Sequence, residues 1–242
     1  MTQSAHAPFP GDFKSWISHF DEFSGFYNEA LDGSAGLRAL ARLELEAIHS
    51  LVGASGGSVL DLGSGTGRIS DAFNQWGYDV TSTDASEAMR AILAQRFGRE
   101  AQHASMGEPL PFEDNSFDVV VSIRVLKYVQ NWEFALREMQ RVCKVGGVVV
   151  IEWTNRSSIA RFGYNAAPIT LLTADELSAV LGRGHIGSIS GSRVPHAVWR
   201  AARAERLAGA MVVGEEIVQR GFAKVGQPTL MARSVISAFR KS

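Results

Sequence analysis

Cysteine and net charge are both scarce in this chain of 242 residues. The single cysteine, Cys143, excludes an intramolecular disulfide framework, which fits a cytoplasmic protein. It stands at helical spacing with Leu136 and Met139, so it reads as a packed core thiol rather than a nucleophile. A formal net charge of −1 gives no general pull toward nucleic acid, and a nucleic-acid partner is not expected. No apolar run reaches membrane-spanning length and the first residues show no apolar signal segment, so no membrane insertion is expected. None of the six histidines forms an H-x-x-x-H pair and no C-x-x-C occurs, which leaves no metal site from sequence-near ligands. Internal repeats, low-complexity tracts and long linkers are absent as well.

What remains is an ordinary globular composition, 45% hydrophobic and 20% charged, which argues against disorder and for a large core. Charge is unevenly spread: residues 1–182 carry 14 basic and 22 acidic side chains, whereas residues 183–242 carry 10 and 3.

The most informative stretch is Val59-Leu60-Asp61-Leu62-Gly63-Ser64-Gly65-Thr66-Gly67. A short apolar strand holds an acid near its end and then turns through three glycines at alternate positions. Glycine reaches backbone angles closed to other residues and lets a ligand lie against the main chain. Such a strand–turn–helix builds a nucleotide-sized crevice at the carboxyl edge of a sheet. The dinucleotide fingerprint G-x-G-x-x-G needs a third glycine where Arg68 stands, so a dinucleotide is a poor fit. Asp79–Asp84 reads as a second strand ending in an acid, 23 residues after Asp61. Asp84 can accept hydrogen bonds from both hydroxyls of a ribose; alternatively it caps the helix that starts near Ser86.

Strands are expected at about 58–62, 79–83, 101–105, 117–123 and 147–152, with helices near 67–76, 86–97 and 131–144 between them. Asn131 is the expected cap of the last helix and Gly146-Gly147 its end. The alternation argues for a parallel sheet covered on both faces. Ahead of it, residues 1–11 read as a loose arm. An aromatic-rich segment follows from Phe13 to Tyr27, and then a helix from Gly33-Ser34 to about Val52 with Leu37, Ala41, Leu45 and Ile48 on its apolar face. Thr173-Ala174-Asp175-Glu176 is a capping box opening a helix to Leu181. Residues 185–192 read as a strand, 195–220 as helical and 231–240 as a final strand.

The glycine run looks like the first motif of the class I S-adenosylmethionine-dependent methyltransferases. Two further blocks are more specific. Leu110-Pro111-Phe112 with Ser116-Phe117-Asp118-Val119-Val120-Val121-Ser122, and Ala135-Leu136-Arg137-Glu138-Met139-Gln140-Arg141-Val142 with Gly146-Gly147, resemble the ubiquinone-biosynthesis-like small-molecule methyltransferases. The resemblance runs from about Gly57 to Glu152. It implies an α/β Rossmann-like fold: a seven-stranded, mostly parallel sheet with helices on both faces and the last strand antiparallel. Residues 1–54 would form an N-terminal helical cap and residues 55–242 the core, with a helical lid insertion at about 194–230.

The resemblance also implies a donor site for S-adenosylmethionine, with S-adenosylhomocysteine as product and no metal. Gly63, Ser64, Gly65 and Thr66 would wrap its methionine and ribose portions, Asp61 would order the loop or the amino group, and Asp84 would bind the ribose. Ala85 and Met89 would lie beside the adenine. The family usually has an acid at the position of Met106; here Met106 would pack on the ring, Gly107 would offer its N–H to N1 and Glu108 would reach the amino group. Ser122, Ile123 and Arg124 would face the methionine end. Arg124 either pairs with the donor carboxylate or is a solvated loop arginine. Tyr128 stands where relatives often carry histidine, and a tyrosine with an unperturbed pKa near ~10 is a poor base at neutral pH. Tyr27 would touch the donor.

Methyl transfer from a sulfonium is an in-line displacement, needing close, collinear approach away from water rather than one universal catalytic residue. The expected function is therefore methylation of an O, N or C nucleophile of a small-molecule acceptor, by a monomer or homodimer. A non-catalytic donor-binding partner or regulator and a tRNA-directed enzyme are the alternatives. The N-terminal aromatics, Trp153-Thr154-Asn155 and the insertion are expected to roof the acceptor pocket. Arg193, Arg200, Arg203 and Arg206 form either a cationic lid over an anionic acceptor or a solvated face that pairs with the acidic core.

Overall fold

A computed structural model of the chain describes residues 12–53, 56–158, 169–190, 206–207, 209–212, 232 and 234–242. Two helices lead, α1 (Phe13–Asp32) and α2 (Ala35–Val52). Then β1 (Ser58–Leu62), α3 (Arg68–Gln75), β2 (Asp79–Asp84), α4 (Glu87–Phe97), β3 (Gln102–His103) and β4 (Phe117–Ser122) alternate. A 3₁₀ turn at Leu126–Tyr128 precedes α5 (Trp132–Val142), β5 (Cys143–Thr154), α6 (Ala174–Leu181), β6 (His185–Ser190) and β7 (Ser234–Arg240).

The seven strands form one sheet in the order β3-β2-β1-β4-β5-β7-β6. Strands β1 to β5 run parallel, and β7 pairs antiparallel with both β5 and β6. The strand order reverses between β1 and β4, and a crevice opens at the carboxyl ends of strands at such a switch point. Both faces are covered. Leu60, Leu62, Val120, Val149 and Ile151 pack with Leu136, Met139 and Leu177 on one side. Val59, Val119, Val121, Val148 and Val150 pack with Ile48, Ile69 and Phe73 on the other. This period-2 split of near-continuous apolar strands is what a parallel sheet buried on both faces requires.

Four expected boundaries are corrected. The strand expected at 101–105 shrinks to Gln102–His103, which pairs only with Thr83 and Asp84 at the carboxyl end of β2. The helix expected to reach 144 stops at Val142, because Cys143 is already extended and pairs with Phe117. Gly146-Gly147 therefore do not close a helix: the pairing register jumps from Phe117↔Cys143 to Val119↔Val148, and Gly146 turns the intervening bulge at φ 79°. β5 in consequence spans Cys143–Thr154 rather than 147–152. Asn131 occupies the cap position of α5 without a side-chain cap bond. Thr173 and Glu176 do form the capping box. Arg193, Arg200, Arg203 and most of the 194–230 insertion lie outside the described residues, of which 206–207 and 209–212 are helical.

Candidate donor-binding site

The glycine loop is fixed from below. The N–H groups of Gly63 and Ser64 both donate to the Thr83 carbonyl, at 2.9 and 2.8 Å, which ties the end of β1 to the end of β2. Gly63 sits at φ 79°, and a Cβ there would collide with Val125. Gly67 enters α3 at φ 92°, and its Cβ would come within 2.9 Å of Leu93 and Phe97. Gly67 thus allows the close helix packing that the third glycine of a dinucleotide loop supplies one residue later.

The two acids hold different parts of this loop. Asp61 is 1% exposed and accepts a 2.6 Å hydrogen bond from the Ser70 hydroxyl, which in turn accepts one from Ser82. Burial pushes its carboxyl up to about 7, against the pull of the Ser70 bond. Asp61 therefore orders the loop from beneath; it does not line the crevice. Asp84 does line it. One of its oxygens accepts the Gly65 N–H at 2.7 Å and the other the Ser86 N–H at 2.8 Å. The helix cap itself is Ser86, whose hydroxyl accepts the Met89 N–H. Asp84 thus braces both the loop and the cap. Burial raises its carboxyl, while the two backbone N–H groups pull it down.

The crevice encloses about 670 Å³ of empty space, open solvent at its mouth included. Its floor and walls are Gly63, Asp84, Ala85, Ser86, Met89, Ala104, Met106, Ile123, Arg124, Val125 and Tyr128. Met106 is 2% exposed, and its sulfur accepts a weak bond from the Ser122 hydroxyl at 3.4 Å. Ser122 is fully buried, and its one hydroxyl proton is shared with the nearer Leu62 carbonyl at 2.7 Å, so it supports the wall from behind. Gly107 and Glu108 are exposed and lie outside the wall. Gly107 turns its N–H to the Ser105 hydroxyl at 3.3 Å. Tyr27 falls within α1, and its side chain lies outside the described residues.

Arg124 lines the crevice and is not a solvated loop arginine. Its side chain is 16% exposed and pairs with Glu44 through Nη2 at 2.6 Å and Nε at 3.2 Å. Glu44 also receives Arg68 at 2.8 Å, so one buried carboxylate on α2 joins the first residue of α3 to the loop after β4. Arg124 adopts φ 67°, a left-handed conformation that costs a non-glycine residue about 1–2 kcal/mol. The ion pair helps to offset that cost.

The roof is α1. Phe13, Trp16, Ile17 and Phe20 line the crevice at helical spacing. Tyr128 meets Trp16 with ring centroids 4.4 Å apart and Phe20 at 5.3 Å. Lys127 lies 5.0 Å from the Tyr128 ring centroid. The N-terminal aromatics, expected over the acceptor pocket, thus line the same crevice as Gly63 and Asp84. Trp153, by contrast, is buried and donates to Ser237, and Asn155 is buried with its amide on the Ala232 carbonyl. Among the described residues no group of three or more His, Cys, Asp or Glu side chains is positioned to hold a metal ion.

A sheet with this strand order, a glycine loop braced by an acid at the next strand tip and the family model for a methyltransferase domain, matched over residues 60–151, coincide. Residues 60–151 carry a methyltransferase domain. Over 102 residues the chain is 40% identical to the demethylmenaquinone methyltransferase of Thermobifida fusca, covering 40% of this chain and 43% of that one. The chain spans about half the length of the curated relatives it matches. Two solved structures share the fold at 17% identity. One is a possible histamine N-methyltransferase from Thermotoga maritima, with a TM-score of 0.61 and coverage of 92% of this chain and 98% of that one. The other is the [4+2]-cyclase SpnF, with a TM-score of 0.63 and 97% coverage of both. The family model thus spans β1 to β5, and the two fold neighbours span nearly the whole chain.

Proposed function

We propose that the chain transfers a methyl group from S-adenosylmethionine to an O, N or C nucleophile of a small molecule. The observation that carries this reading is the crevice at the tips of β1, β2 and β4, where Asp84 and the glycine loop meet beneath an aromatic roof. The residues fit the donor. Asp84 offers carboxylate oxygens to a ribose, Met89, Ala104 and Met106 offer an apolar slot to an adenine, and the loop backbone offers close approach. When bound, the donor supplies a methyl group already activated by its sulfonium. The chain then has to hold the acceptor in line and exclude water, which the Phe13–Trp16–Phe20–Tyr128 roof does. Aromatic faces also favour a nearby cation such as a sulfonium.

In this reading residues 1–54 act as a cap, and a monomer or homodimer suffices. The names of relatives and fold neighbours span a quinone precursor, a histamine and a cyclisation. The demethylmenaquinone relative supports a small-molecule acceptor, and the spread of names among fold neighbours chooses none. A second reading, a donor-binding protein without transfer, is favoured by the character of the lining. Its ionisable groups among the described residues are Asp84, Arg124 and Tyr128, of which Asp84 is committed to backbone bonds and Arg124 to Glu44. Incubation with methyl-labelled donor and a fractionated metabolite extract tests the choice. Label in an extracted small molecule supports transfer. Binding of S-adenosylhomocysteine without any transfer supports the second reading, and no binding at all ends both.

A further inference from the structure

The apolar stripe of α1 that roofs the crevice ends in an acid. Phe13, Trp16, Ile17 and Phe20 line the cavity, and Asp21 follows at helical spacing on the same face. Asp21 does not line the cavity. One of its carboxylate oxygens accepts the Ser86 hydroxyl at 2.5 Å and the Ala88 N–H at 3.3 Å. It therefore sits at the start of α4, where unsatisfied N–H groups and the helix dipole favour an anion. Ser86 is bonded on three sides: its hydroxyl donates to Asp21 and accepts from Met89, and its N–H donates to Asp84. Asp84 in turn holds the Gly65 N–H. A continuous chain of hydrogen bonds thus runs from the roof helix through Ser86 and Asp84 to the glycine loop.

We propose that Asp21 is a positioning residue that latches α1 over the crevice and, through Ser86, sets the Asp84 carboxylate for the donor ribose. The inference rests on the donor reading above and adds to it a residue that touches no ligand. Its physical content is coupling. A donor that orders Asp84 and Gly65 strengthens the same chain that holds the roof down, and a roof held down slows the donor's escape. Loss of the latch should therefore appear mainly in the dissociation rate.

The test uses the full chain, its Asp21→Ala and Asp21→Asn variants, and S-adenosylhomocysteine as probe. Calorimetry gives affinity, stopped-flow displacement gives the dissociation rate, and hydrogen exchange compares α1 with α2. Asp21→Ala should weaken binding about tenfold, the scale of one charge-assisted hydrogen bond, with the loss in a faster dissociation. Amides of α1 should exchange faster while those of α2 do not change. Asp21→Asn retains an oxygen that accepts the Ser86 hydroxyl and should recover most of the affinity. A purely structural role for Asp21 would lower the melting temperature without this rescue or this rate effect. Equal affinity and equal dissociation in Asp21→Ala overturn the latch alone, whereas no binding by the unmodified chain overturns the donor reading and the latch with it. If Asp21→Ala does not fold, Asp21→Glu carries the same test. Its longer arm displaces the carboxylate from Ser86, and unchanged affinity there also overturns the proposal.

Discussion

Asp61 and Asp84 stand at neighbouring strand ends and are both buried acids, yet they serve the site differently. Asp84 faces the crevice and accepts two backbone N–H groups. Asp84→Ala leaves both donors without their partner and removes the carboxylate offered to the ribose. It should weaken S-adenosylhomocysteine binding roughly 10–100-fold by calorimetry, the range for a hydrogen bond to a charged group. Asp61 is sealed below the loop with its carboxyl raised to about 7 by burial. A raised acid binds more protons folded than unfolded between its ordinary value and about 7. Stability is therefore greatest where the carboxyl is protonated in both states and falls as pH rises through this window. Burial raises Asp84 as well and gives it the same sign. Asp61→Asn keeps an oxygen for the Ser70 hydroxyl and removes the titration. Its stability relative to the parent, from urea midpoints between about pH 4.5 and 8, should improve steadily with pH. A pH-independent difference would refute the assignment. These acids and the glycines were legible because motif, strand and turn are contiguous in sequence. The pairing of Arg124 with Glu44 was not legible, because the two lie 80 residues apart and no local pattern links them.

At the scale of elements, α2 is tied to the site through one side chain. Glu44 receives Arg68 at the start of α3 and Arg124 from the loop after β4. Removing one partner of a buried ion pair leaves uncompensated charge, and with both arginines partly exposed the cost falls to about 1–3 kcal/mol. Glu44→Gln should therefore lower the melting temperature by roughly 2–12 °C for a chain of this length. In a double-mutant cycle, Arg124→Gln should cost less in the Glu44→Gln background than in the parent, because the pair is already broken. Additive losses would mean that the pair does not act as a unit. The helix α5 shows how element boundaries escape the sequence. Its apolar face, Ala135, Leu136, Met139 and Val142, was readable from periodicity. Its end was not, because the pairing of Cys143 with Phe117 on β4 overrides the local Gly-Gly signal.

At the scale of the molecule, the sheet has two functionally distinct edges. The parallel order and the antiparallel β7 were expected from alternation and resemblance, whereas the α1 roof depends on a helix crossing to the far ends of β2 and β4, which no spacing rule specifies. The crevice occupies the carboxyl edge. At the opposite edge Asp118 joins the starts of β4 and β1 through the Ser58 N–H at 2.8 Å and Lys144 at 2.9 Å, and these partners hold its carboxyl down at about 2. A ligand that binds only the folded chain stabilises it by about 2.7 kcal/mol at a hundredfold excess over Kd, which for this length raises the melting temperature by roughly 5–11 °C. S-adenosylhomocysteine should produce that shift and NADH should not, since Arg68 stands where a dinucleotide loop needs glycine. Asp118→Asn should lower the baseline by a few degrees yet keep the full ligand shift, because it loosens only the distant edge. Asp84→Ala should also lower the baseline, because it leaves the Gly65 and Ser86 N–H groups without their partner, but it should in addition lose half or more of the shift at the same ligand concentration. Were the two variants to lose the shift equally, ligand stabilisation would be a property of the whole sheet, and the crevice at the tips of β1, β2 and β4 would no longer be singled out as the site.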